Sequence, residues 1–298
     1  MNKNLSPVPN SVLVRGSNGF VPLIILLVIT LLTSIGIGYY AYKNGQIKLP
    51  SQEPTQKSEN SIGIGFGLSE RTLPFLRYLT NANDFVDLMN ITKSSDLITN
   101  ANEKSIQTVC IARSLDGLKE IAALAKEKEV ICNYLGYNPE DREGTPEEEL
   151  NDFVGSSQKA QQTVQSYGLK LVNGPGLKYI SKQEENYAQA AKFTDIWLIQ
   201  TQGLTIDKKT NKHATPEEYN QSVKRVADML RSGNPEVKIW AQIVLTPGGV
   251  EAAQFTPEEI VAYIKSVEGT VDAVRIYTTG TPNFEDILQK IINLLRPS

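Results

Sequence analysis

Between residues 131 and 150 the sequence reads ICNYLGYNPEDREGTPEEEL, and Glu140, Asp141, Glu143, Glu147, Glu148 and Glu149 crowd into one short stretch. Carboxyl groups at a strand end can pass protons to and from a reacting oxygen when they face a cleft. Half of this cluster has a simpler explanation. TPEEEL at 145–150 recurs as TPEEYN at 215–220 and TPEEIV at 256–261. The spacing predicts Thr at the N-cap, Pro at the first helical position and Glu at the second and third. The threonine oxygen and the third-position glutamate then satisfy each other's backbone amides. Glu147, Glu148 and Glu149 are thereby assigned to a helix start and need no further role. Glu140 and Asp141 remain as candidate catalytic acids, with Glu143 beside them.

The neighbouring groups suggest what those acids would act on. Tyr134 and Tyr137 flank the turn formed by Asn138, Pro139 and Glu140, and an aromatic ring can stack on the apolar face of a sugar. Other predicted strand ends are rich in neutral polar groups: Asn90, Asn173, Gln200, Gln202, Gln242 and Tyr277, with Arg113 after the third strand. Amides and a tyrosine around one or two acids offer a polyhydroxylated ligand both donors and acceptors. The predicted ligand-binding set is Tyr137, Asn138, Asn173, Gln200, Gln202, Gln242, Arg275 and Tyr277. Arg275 lies inside the run VDAVRIY, where an unpaired charge is costly. It either pairs with an acid inside the fold or faces the site. His213, in KKTNKHATPEE, reads as a surface histidine. Trp197 and Trp240 lie within strands and read as packing residues.

Positioning such a site requires a scaffold, and the pattern from residue 61 onward supplies one. Eight apolar runs, SIGIGFG, FVDLMNI, IQTVCIA, EVICNYL, LKLVNG, DIWLIQT, VKIWAQIVL and DAVRIY, are separated by longer stretches. Several of those stretches carry helical periodicity, such as SLDGLKEIAALAKEKE and FEDILQKIINLLR. Continuous apolar strands that alternate with helices indicate a parallel sheet covered on both sides. Eight such units fit a (β/α)8 barrel, whose active sites lie at the carboxy-terminal ends of the strands. An open doubly wound sheet is the alternative. GIGFGLSE lacks the spacing of a dinucleotide-binding loop, which disfavours it.

Composition narrows the function further. The formal net charge is −3 and no block of Lys or Arg occurs, so nucleic acid is not an expected partner;. A single histidine and two cysteines exclude a His-rich metal cluster, and no cofactor is expected;. Cys110 and Cys132 lie in apolar runs and read as buried free thiols in preference to a disulfide. No charged residue occurs from residue 17 to 42, and FVPLIILLVITLLTSIGIGYYAY is long enough to cross a bilayer;. The organisation read from the sequence is a short tail (1–18), a transmembrane anchor (19–42), a polar linker (43–60) and a barrel domain (61–298). The barrel is expected outside the cytoplasm. A cleaved signal peptide is the other reading of the apolar run.

Over residues 61–298 this layout resembles the glycoside-hydrolase-like (β/α)8 proteins. YNPEDREGTPEE is similar to a Tyr-Asp-Pro-Glu-x-Trp-x-x-Thr-Pro pattern of poorly characterised secreted barrels, with Asn138 in place of the aspartate and Arg142 in place of the tryptophan. The resemblance implies that Glu140, after the fourth strand, protonates a leaving group, and that a second carboxylate follows the seventh strand. Here that position holds Gln242 in WAQIVLTPGG, and Glu251 lies nine residues further on. Three arrangements stay open. Glu140 works with Asp141 or Glu143; a substrate acetamido group acts as nucleophile, oriented by Gln202 or Tyr277; or the barrel binds glycan without cutting it.

Overall fold

The computed structural model describes residues 62–296 apart from 90, 92–94, 141–143, 177–183, 208–211, 246–254, 279–280 and 282. The tail, anchor and linker expected over 1–60 lie outside the described residues, as do Asn90, Asp141, Glu143 and Glu251. Among the described residues no helix is long and apolar enough to cross a membrane.

Eight parallel strands close into a barrel: β1 (Gly63–Gly67), β2 (Phe85–Leu88), β3 (Gln107–Ala112), β4 (Tyr134–Tyr137), β5 (Lys170–Asn173), β6 (Ile196–Gln200), β9 (Lys238–Val244) and β10 (Ala273–Tyr277). The ring runs in chain order, and β10 pairs back onto β1 through Gly63 with Ala273 and Gly65 with Arg275. Most strands lead into helices: α1 (Ser95–Glu103), α2 (Leu115–Glu127), α3 (Glu147–Asn151), α4 (Phe153–Ser166), α5 (Tyr187–Ala191), α6 (Pro216–Gly233), α7 (Pro257–Ser266) and α8 (Phe284–Leu295). After β1 the connection is only a 3-10 helix, Leu73–Tyr78. A two-stranded hairpin, β7 (Ile206–Asp207) with β8 (Lys212–His213), sits between β6 and α6; the sequence pattern did not reveal it.

Alternation along each strand sorts the side chains into two layers. Ile64, Phe66, Cys110, Leu135, Trp197 and Ile199 join the core shared with the helices. Phe85, Val109, Val172, Ile196, Leu198, Trp240 and Ala273 fill the barrel. The Phe85 and Trp240 rings stack 3.8 Å apart across the interior. That stack explains the glycine at 65, because a Cβ there would lie 2.4 Å from the Phe85 ring. At Gly67, one pleat nearer the mouth, an added Cβ would meet nothing within 4 Å. Trp197 packs outside the barrel against Phe153 and Tyr187, so both tryptophans are packing residues.

Two expectations need correction here. The fourth strand begins at Tyr134, about five residues later than the run EVICNYL suggests, and Glu129 at the head of that run takes a left-handed conformation (φ 53°). Cys132 therefore lies in the lead-in to the strand, 5.9 Å from Cys110 between Cα atoms, and the two form a disulfide. Both sulfurs are buried, but they are not free thiols.

Candidate functional site at the barrel mouth

At the carboxy-terminal ends of the strands an ionic layer lies beyond the aromatic stack. Arg275 reaches across from β10 and holds Asp87 of β2 with two nitrogens, Nη2 donating to Oδ1 at 2.7 Å and Nε to Oδ2. Its third bond, from Nη1, goes to Gln242 Oε1 on β9. The two ionic side chains are only 11% and 4% exposed, so this pair belongs to the barrel interior. Burial by itself would lower the Arg275 pKa. The Asp87 charge and hydrogen bonds outweigh it and hold the guanidinium above its ordinary value, with Tyr277 and Glu140 acting in the same direction;. The Arg275 guanidinium also sits 5.1 Å from the centre of the Tyr277 ring. Of the two readings left open for it, Arg275 takes the first: it pairs with an acid inside the barrel.

A row of polar side chains lies on the other wall. Asn138 donates through Nδ2 to Glu140 Oε1 at 2.9 Å, and Gln200 Nε2 donates to Asn138 Oδ1 at 2.9 Å. Gln200 Nε2 also donates to the Gly174 carbonyl at 2.9 Å, and Gln202 Nε2 reaches Gln200 Oε1 at 3.3 Å. Glu140 is held by its backbone as well. Its amide donates to Thr145 Oγ1 at 3.0 Å, and the Thr145 hydroxyl donates to the Arg113 carbonyl at 2.7 Å.

The structure therefore gathers Glu140, Asn138, Gln200, Gln202, Gln242, Arg275 and Tyr277 at one end of the barrel. It sends Tyr137 and Asn173 elsewhere. Both are fully buried on the outward pleat, one position out of phase with Asn138 and Gly174. The Tyr137 hydroxyl donates to Glu149 Oε2 at 2.9 Å, and Asn173 Nδ2 donates to Ser157 Oγ of α4 at 2.9 Å. Neither presents a face to the mouth.

The helix start at 145 also differs from expectation. The N-cap of α3 is Pro146, without a side-chain cap bond, whereas Thr215 and Thr256 both close capping boxes. Glu149, expected to need no role, is 7% exposed and accepts from the Tyr137 hydroxyl and from the Leu115 amide at the start of α2. His213 is also less free than predicted. Its Nδ1 lies 3.1 Å from Glu259 Oε1, and its ring packs 4.4 Å from that of Phe255.

Asp87 is the residue the sequence reading missed. Its signal is the acid in FVDL, two positions after Phe85 on the same pleat, which matches the buried arginine of VDAVRIY. Asp87 is not available as a free second carboxylate, because both of its oxygens are engaged by Arg275.

No family model matches this chain, and no curated protein sequence does so significantly. Solved structures do share its fold. A protein assigned as an α-L-fucosidase from Bacteroides thetaiotaomicron aligns over 84% of this chain and 97% of its own, with 9% identity and a TM-score of 0.53. A mutant tryptophan synthase α-subunit from Pyrococcus furiosus aligns over 80% and 98%, with 11% identity and a TM-score of 0.49. A glucosidase from Croceicoccus marinus aligns over 63% of this chain with 9% identity and a TM-score of 0.46; the chain spans 45% of that enzyme's length. At 9% identity the likeness to the first of these shows the fold alone;. The chain is a (β/α)8 barrel, and the resemblance to glycoside hydrolases in particular is not specific.

Proposed function

We propose that the barrel mouth binds a polyhydroxylated ligand, a glycan, with Glu140 as the acid around which it is held. The observation that carries this reading is the row from Gln202 through Gln200 and Asn138 to Glu140, which lines one wall with oriented amides. Such groups match hydroxyls, which both donate and accept. Gln242, the register partner of Gln200 on the adjacent β9, and Tyr277 on β10 continue this lining, and Gly67 leaves room beside Asp87.

Binding without cleavage is favoured by the fate of the second carboxylate. Asp87 is committed to Arg275, and the seventh barrel strand offers Gln242. Hydrolysis is the second reading, and the pinning of Glu140 through both its backbone and its carboxylate supports it, since a general acid must be held in place;. In that reading Glu140 gives its proton to the glycosidic oxygen, with Asp141 on the same loop as its companion. We also propose that residues 19–42 anchor the chain in a membrane with the barrel outside the cytoplasm. The Cys110–Cys132 disulfide supports that placement, since such bonds persist in oxidising compartments;.

The test is a glycan array probed with the full-length protein in detergent, followed by titration and product analysis on the strongest ligand. Binding that weakens about tenfold or more in Gln200→Leu, with no product released, is the expected result. Product release by the wild type and none by Glu140→Gln would move the assignment to a hydrolase. A blank array would contradict both readings.

A further inference from the structure

The site at the mouth leaves the other end of the barrel unexplained. Large apolar side chains scattered singly over a surface need no account, but a group of them does. Ile131 is 62% exposed and Tyr167 39% exposed. Ile131 lies three residues before β4 and Tyr167 three before β5, so in a parallel barrel both sit at the amino-terminal end, away from the mouth. They meet over one hollow of about 670 Å³, between the last turns of α2 and α4. The rest of its lining is largely apolar: Ala122, Ala125, Val130, Cys132 and Leu169. Ile131 also borders a second hollow of about 280 Å³ beside Asn102 and Gln107, and so stands as a ridge between the two. That ridge is held in place. The Ile131 carbonyl accepts from Asn102 Nδ2 and from Thr108 Oγ1, both at 2.9 Å, and the neighbouring Cys132 is bonded to Cys110 of β3. The isoleucine is thus fixed with its side chain in water, although burying it would be favourable.

Building on the proposal that residues 19–42 anchor the chain, we infer that this end of the barrel rests on the bilayer, with Ile131 and Tyr167 entering the headgroup layer. The course of the chain selects the occupant. It enters β1 at Gly63, at the same end as Ile131 and Tyr167, and residues 43–61 are all that separate β1 and its lead-in from the apolar run. A polar chain of that length spans on the order of 25 Å as a coil. A bilayer holding the run is therefore presented to the Ile131 face at high effective concentration. The side chains suit it. One is wholly apolar, and the other joins an apolar ring to a polar tip, as side chains at a membrane interface do. Charge plays little part. Exposed Lys126, Lys128 and Lys170 are offset by exposed Glu127 and Glu129, so zwitterionic lipid suffices and salt has little effect;. The consequence is orientation: the mouth, at the far end, is turned away from the membrane and toward its ligand.

The experiment uses the full-length protein in phosphatidylcholine vesicles that include lipids with a nitroxide quencher near the headgroup. Ile131→Cys, Tyr167→Cys and, just after β2 at the mouth end, Met89→Cys each carry an environment-sensitive thiol dye. Met89 is itself 48% exposed, and Cys110 and Cys132 are bonded to each other and take no dye. The dyes at 131 and 167 are expected to emit as in an apolar medium and to be quenched, in low and high salt alike. The dye at 89 emits as in water and is not quenched. A dye at Lys128→Cys is quenched in the otherwise unchanged protein. Its quenching falls to the level at 89 when Ile131→Asp and Tyr167→Asp, both exposed positions, are added. Dyes at 131 and 167 that match the dye at 89 overturn the inference. Apolar emission without lipid quenching, growing with the ratio of protein to lipid, means that a second copy covers the face, and it overturns the lipid assignment as well. Alkaline carbonate separates the two proposals. Protein stripped from the vesicles defeats the anchor and this inference with it; protein that stays while the dyes at 131 and 167 remain in water defeats the docking alone.

Discussion

Thr215 and Thr256 each receive the amide three residues ahead, while the glutamate there returns a bond to the threonine amide at 2.8 Å and 2.7 Å respectively. Thr145, at the head of the same TPEE tetrapeptide, does neither. Its hydroxyl bridges the Glu140 amide and the Arg113 carbonyl, and Glu149, the residue after the tetrapeptide, turns inward to Tyr137 and Leu115. At 215 and 256 the motif serves its own helix. At 145 it ties together the turns after β3 and β4, with Glu140 between them. The difference lies in what else needs a partner. The backbone of a mouth loop leaves donors and acceptors that a helix start alone does not, and a short hydroxyl side chain goes to whichever is in reach.

The largest effect expected from breaking this comparison is at the buried acid. Glu149→Ala removes the acceptor shared by the buried Tyr137 hydroxyl and the Leu115 amide, at a cost of about 4 kcal/mol for the two bonds together;. Glu218→Ala, in a capping box, costs about 1 kcal/mol. Urea denaturation of both variants measures the gap, and equal losses would dissolve the distinction. Next comes Thr145→Val, expected to lose about 2 kcal/mol and to weaken ligand binding at the mouth, because the Glu140 backbone loses its acceptor. Thr215→Ala and Thr256→Ala lose about 1 kcal/mol each and leave binding unchanged.

The smallest effect is a dependence on pH. Burial pushes the Glu259 carboxyl up, but hydrogen bonds from Thr256 and the His213 contact together hold it below its ordinary 4.5. A depressed folded-state value means stability that is present above 4.5 and lost as pH falls through the lower folded value;. Denaturation midpoints measured from neutral pH down into that window should decline less steeply in Glu259→Gln than in the wild type. His213→Ala should fall between them, and a wild-type slope retained in Glu259→Gln would contradict the assignment.

The same contrast shows how far the sequence could be read. The eight barrel strands were legible, because apolar runs such as IQTVCIA and DIWLIQT mark each strand regardless of its neighbours. The capping boxes at 215 and 256 were legible for the same reason, since a local motif met a local need. Tyr137 and Asn173 were misplaced because a shift of one residue changes the face of a strand, and only the register with neighbouring strands settles it. The fates of Thr145, Glu149 and the two cysteines depend on partners 5 to 34 residues away. Asp87 and Arg275, 188 positions apart, were visible only as two charges where strands rarely hold them. Each was half of a signal whose meaning lies in the pairing.

The most direct measurement is a crystal structure with the best array oligosaccharide soaked in. The account predicts a sugar ring seated at the barrel mouth, with hydroxyls in hydrogen-bond reach of Glu140 and Asn138. A sugar bound on the helical exterior or at the opposite end of the barrel, with the mouth empty, would contradict it.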